Sequence, residues 1–166
     1  LLIGLSIFSG CGGGGDKVTI ASKLFTENIL LSEMYAQLIE AKTDIEVERE
    51  QNLGSTSICF PAMEKGDIDI YVEYTGTAYN EILGLELTDE TTSDYIYETC
   101  KEKLNSDYNI TMFSPIGMNN TFALAISESK SKELGIETMS DLAKHTSGFK
   151  FGANHLFYTR VYDGYD

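Results

Sequence analysis

The chain has 166 residues, 42% of them hydrophobic and 23% charged, which is the composition of a globular protein rather than a disordered one. Its formal charge of −14 excludes the basic footprint that nucleic-acid binding requires, and it excludes a polybasic patch for acidic lipid. Solubility is the ordinary consequence of such a charge; attraction of a cationic ligand is the lesser alternative.

Residues 1–8 (LLIGLSIF) are an apolar run too short to span a bilayer, which takes about 20 residues. The run fits the apolar core of a signal peptide, so residues 1–10 are expected to be a signal remnant. Ser9 and Gly10 are small, and Cys11 follows. Phe8-Ser9-Gly10-Cys11 resembles a bacterial lipobox with Phe in place of the usual Leu, which makes Cys11 the expected lipidated residue. Gly12 to Gly15 lack the Gly-Lys-Ser/Thr ending of a phosphate loop, so residues 11–16 are expected to form a lipid-bearing tether. Of three cysteines, Cys59 and Cys100 then remain, and both are expected to be buried free thiols.

From residue 17 the chain alternates strands and helices. Residues 17–22 (KVTIAS) alternate as a strand does. Thr26 is positioned to cap a helix whose apolar positions Leu30, Leu31, Met34, Tyr35, Leu38 and Ile39 suggest one buried stripe. Residues 45–50 predict a second strand, residues 52–55 a loop around Gly54, and residues 61–65 a short helix with Pro61 in its first turn, ended by Gly66. Residues 67–72 (DIDIYV) predict a third strand, and Thr75-Gly76-Thr77 turns the chain into a helix reaching Leu83. Residues 88–105 read as a helix, and residues 110–113, 121–126 and 149–153 as strands. Thr138 to Asp141 form a capping-box pattern, and residues 156–162 suggest a last helix.

This alternation predicts an α/β fold with a largely parallel sheet, in which ligands sit beyond the carboxyl ends of the strands. The places to search are the strand exits: Ser22 and Lys23, residues 73–75, residues 114–121 and residues 154–160. No catalytic constellation stands out. His145 and His155 lie in no metal-ligand pattern, no Gly-x-Ser-x-Gly elbow occurs, and 26 acids spread along the chain single out no acid/base pair. The expectation is a binding module, with no enzyme activity, cofactor or metal.

The strand exits carry a resemblance. The runs at residues 22–27 (SKLFTE), 66–77 (GDIDIYVEYTGT), 119–124 (NNTFAL) and 151–160, in that order, resemble the glycine betaine/carnitine/choline-binding proteins of ABC importers. That family implies a two-lobed, periplasmic-binding-protein-like (type II) α/β fold that closes on its ligand. It implies a first lobe over residues 17–121, nearly complete, and the start of a truncated second lobe over residues 122–166. It further implies an aromatic cage around a quaternary ammonium, which cannot donate a classical hydrogen bond and so is held by ring faces. Carried over residue by residue, Tyr74 is a cage wall, Lys23 and Thr77 hold the ligand's carboxylate end, and Arg160 reaches it from the second lobe. Phe122 stands where the family often has Tyr, keeping the π face without the hydroxyl. The implied partners are a quaternary-ammonium osmolyte, ABC permease subunits and the outer face of the cytoplasmic membrane through the lipid anchor. The 166 residues alone are expected to bind poorly, since half a cage lacks its partner rings. Two alternatives remain open: an osmolyte-sensing receptor domain, and an enzyme on the same two-lobed fold.

Overall fold

The segment that forms the central strand is rich in β-branched residues, Val18, Thr19 and Ile20, which favour extended backbone. In the computed structural model, which describes residues 16–88, 91–160 and 164, β1 (Lys17–Lys23) runs parallel to β2 (Glu46–Gly54) on one side and to β3 (Ile70–Tyr71) on the other. The expected signal remnant, Cys11 and residues 12–15 of the tether lie outside the described residues. The sheet order is therefore β2-β1-β3, with α1 (Thr26–Lys42) crossing from β1 to β2 and α2 (Thr56–Lys65) from β2 to β3.

Alternate residues of β1 face opposite sides of the sheet. Ile20 enters a core with Val47 of β2 and Ala36 of α1, while its neighbour Ala21 enters another with Cys59 of α2 and Ile68. The helix α1 thus covers one face and α2 the other. A third core lies beside the sheet, where Ala78 and Tyr79 pack against Cys100 and Leu104 of α4 (Ser93–Tyr108). The chain divides into two units, Leu1–Phe113 and Ser114–Asp166.

Several local expectations need correction. The N-cap of α1 is Phe25 rather than Thr26. Its buried face is Asn28, Leu31, Ser32 and Ala36, whereas Leu30, Met34 and Leu38 are more than half exposed. The sheet therefore covers a narrower sector of the helix than its apolar residues span. β2 continues to Gly54, through Asn52 at φ 60°, a backbone region that Asn tolerates. Helix α2 starts five residues earlier than expected, which places Pro61 inside it rather than in its first turn. Gly66 ends it at φ 78°, the left-handed cap that only a residue without Cβ adopts freely.

The third strand is only two residues long, and side chains supply part of the pairing at its two ends, beside the backbone bond from the Asp69 N–H to the Thr19 carbonyl at 2.9 Å. The Asp69 carboxylate accepts from the Thr19 N–H at 2.7 Å, and the Val72 carbonyl accepts from Asn28 Nδ2. α3 (Thr75–Thr77) follows as expected and continues as a π-helical turn, Ala78–Ile82. The segments at 110–113, 121–126 and 149–153 form no ladder; apolar alternation does not make a strand without a neighbouring backbone to pair. Ile110 and Met112 instead pack on the Cys100–Leu104 core.

In the second unit, α5 (Glu128–Leu134) has no counterpart among the expected elements. The capping box at Thr138 and Asp141 is present and opens α6 (Met139–Leu142), which runs into a 3-10 segment, Ala143–Gly148. The described part of the last expected helix is a 3-10 turn, His155–Tyr158, and residues 161 and 162 lie outside the described residues.

Candidate functional site

β1 and β3 run parallel, so their carboxyl ends lie side by side. β1 ends at Lys23, and two residues beyond β3 comes Glu73. The Lys23 ammonium pairs with the Glu73 carboxylate, and both are nearly closed off from solvent. Glu73 also accepts from the Tyr71 hydroxyl at 3.1 Å, the Thr56 hydroxyl at 3.2 Å and the Tyr74 N–H at 2.8 Å. A buried carboxylate with this many donors is compensated, so the ion pair is held rather than merely tolerated. Burial, and then the Glu73 carboxylate, push the Tyr71 phenol up, which keeps it a donor to Glu73.

Asn28, fully buried in the first turn of α1, ties the two exits together. Its Oδ1 accepts the Lys23 N–H at 2.7 Å, and its Nδ2 donates to the Val72 carbonyl at 2.8 Å. The backbone geometry at both exits is thereby set by one side chain.

Tyr74 is the N-cap of α3, so it stands where the chain leaves the sheet. Its ring stacks on Phe25 at 5.9 Å between centroids, tilted 30°, and the Lys23 ammonium lies 5.4 Å from the ring centre. Its hydroxyl donates to Glu27 Oε1 at 2.6 Å. Thr77 sits in the first turn of the same helix and is half-buried. Lys23, Tyr74 and Thr77 are thus brought to one sheet end. In the second unit, Arg160 lies 5.6 Å from the centre of the Phe122 ring, and Phe157 packs on both Phe122 and Phe151, at 6.3 and 5.5 Å. Each unit therefore pairs an aromatic ring with a cationic side chain.

The family model for the substrate-binding domain of the ABC-type glycine betaine transport system matches residues 16–166. The chain belongs to this substrate-binding family. Its members are solute-binding components rather than enzymes. Among its relatives, the ergothioneine transport permease/ergothioneine binding protein EgtU of Helicobacter pylori (strain G27) is 37% identical over 144 residues, 86% of this chain and 25% of that protein. The carnitine transport binding protein OpuCC of Listeria monocytogenes serotype 1/2a (strain 10403S) is 30% identical over 158 residues, 94% of this chain and 51% of that one. A solved structure of a glycine betaine/carnitine/choline ABC transporter superposes with a TM-score of 0.65 at 28% identity, over 81% of this chain and 50% of the other. The chain spans about half the length of that carnitine-binding relative.

These likenesses agree with the α/β reading and with the parallel sheet. The sequence did not single out Glu73, Glu27, Asn28 or Phe25. Phe25, Glu27 and Glu73 lie inside the runs that carry the family resemblance, and Asn28 adjoins one. Two of these residues are among 26 acids, and only their neighbours in space distinguish them. Cys59 and Cys100 are buried free thiols, as expected. Burial and the Glu73 carboxylate push the Cys100 thiol up to about 11, and burial raises Cys59 too, so neither is an activated nucleophile.

Proposed function

We propose that the chain is the ligand-capturing part of an ABC importer's solute-binding protein, and that its ligand is a quaternary-ammonium osmolyte. The observation that carries the reading is Tyr74, a half-buried ring at the end of a parallel sheet, fixed from two sides. Rings are what a trimethylammonium group requires, each contact contributing about 0.5–2 kcal/mol. The paired charges of Lys23 and Glu73 support it as well. Left alone, the Lys23 ammonium would repel a ligand cation at Tyr74; Glu73 offsets that charge.

In this reading Tyr74 and Phe122 are cage walls, and Arg160 takes the ligand's carboxylate. Thr77 supplies neutral donors at the start of α3. Lys23 shares its remaining ammonium donors with that carboxylate while Glu73 holds it. Glycine betaine, carnitine and ergothioneine carry both a trimethylammonium and a carboxylate; choline carries only the first. The names of the relatives support the first three as candidates. Delivery to permease subunits and anchoring outside the cytoplasmic membrane through a lipid on Cys11 belong to the same proposal. Among the described residues no helix is long and apolar enough to cross a membrane.

Titration calorimetry of the full-length protein with glycine betaine, carnitine, choline and ergothioneine tests this. Binding of at least one, lost in Tyr74→Ala with folding retained, is the expected result. A folded protein that releases no heat with any of the four overturns it.

A further inference from the structure

The Tyr74 ring is held by two residues that the carry-over of ligand contacts leaves out, and both come from the opposite strand exit. Phe25, the N-cap of α1, stacks on the ring. Glu27, in the first turn of α1, accepts the phenolic proton at 2.6 Å. The helix macrodipole favours a carboxylate at that position. Tyr74 is thus pinned at its backbone by the start of α3 and at its hydroxyl by the start of α1.

We propose that Glu27 is a positioning and specificity-determining residue of the quaternary-ammonium subsite, acting through the Tyr74 hydroxyl. This rests on the osmolyte-binding reading above and deepens it. The contribution has two parts. The hydrogen bond fixes the direction in which the ring face points, and pre-set geometry lowers the ordering cost of binding. A phenol that donates to a carboxylate also carries more electron density in its ring, so the face attracts a cation more strongly. The site therefore prefers a cationic head group to a neutral group of the same shape. Any ring face gives some such preference; the bond to Glu27 enlarges it.

The test uses the full-length protein with four forms: wild type, Glu27→Gln, Tyr74→Phe and the double variant. Gln keeps an acceptor oxygen of nearly the same size but removes the charge, and Phe removes only the hydroxyl. The ligands are choline and its neutral tert-butyl isostere, the latter read by its displacement of choline. Glu27→Gln is expected to weaken choline by about three- to tenfold, with a smaller change for the isostere and an unchanged melting temperature. Tyr74→Phe is expected to do the same, and the double variant to lose no more than either single one, because both act through one bond. Unchanged choline affinity in Glu27→Gln overturns the proposal. So do equal losses for choline and the isostere, or losses that add in the double variant. If Glu27→Gln does not fold, Tyr74→Phe decides: wild-type selectivity for choline over the isostere overturns the proposal. A wild-type protein that binds no quaternary ammonium at all instead removes the reading on which it rests.

Discussion

The Lys23 ammonium closes on the Glu73 carboxylate, fifty residues further along the chain, with the two side chains only 5% and 10% exposed. The pair joins the exits of β1 and β3, and it leaves the Tyr74 ring beside a neutralised rather than a net positive centre. Removing one partner strands the other charge in a dry environment. Glu73→Ala is therefore expected to destabilise the first unit by about 3–5 kcal/mol. The double variant Lys23→Met, Glu73→Gln is expected to recover most of that loss. Urea unfolding of the wild type and the two variants measures both.

Asn28 makes a comparable prediction for neutral groups. Asn28→Ala leaves the Lys23 N–H and the Val72 carbonyl without their partner in a buried setting. An unsatisfied buried group costs about 1–3 kcal/mol, so the expected loss is about 2–4 kcal/mol. Hydrogen exchange should report faster opening at residues 22–24 and 71–74 than elsewhere in the sheet.

Arg160 separates the candidate ligands by chemistry. Its guanidinium is the proposed partner of a carboxylate, and choline has none. In the full-length protein, Arg160→Ala should weaken glycine betaine or carnitine by about tenfold or more, the scale of one charge-assisted hydrogen bond, and choline far less. Equal losses for all three, read by calorimetry, would point to Arg160 as packing for Phe122 rather than as a carboxylate ligand.

Alkaline stability follows from the buried thiols. Cys100 is raised from its ordinary value of 9.0 to about 11 by burial and by Glu73, and Cys59 and Tyr71 shift the same way, burial leading. In the unfolded chain these groups ionise at their ordinary values. The unfolded state then holds fewer protons than the folded one, and stability falls as pH rises. The stabilisation is complete below about pH 9 and is lost through about pH 11. Cys100→Ala should flatten that slope while lowering stability at neutral pH through the small cavity it leaves. Chemical denaturation at a series of pH values reads both effects.

The alternation of strand and helix over residues 17–77, the Gly66 cap, the Thr138 capping box and the family runs were legible in the sequence, and the runs at 22–27 and 66–77 do lie at strand exits. Each depends on neighbours within a few residues, or on a short motif read whole. Tertiary structure decided how β3 ends, because the Asp69 carboxylate takes the Thr19 N–H of β1 and Asn28 donates to the Val72 carbonyl. It decided which flank of α1 is buried, because only the packed sheet distinguishes Leu31 from Leu30. It also singled out Glu73 and Glu27 from 26 acids, by setting one against Lys23 and the other against the Tyr74 hydroxyl. Periodicity along the chain specifies local conformation. The role of a charged side chain depends on which groups face it, and at the end of a parallel sheet those groups come from segments dozens of residues apart.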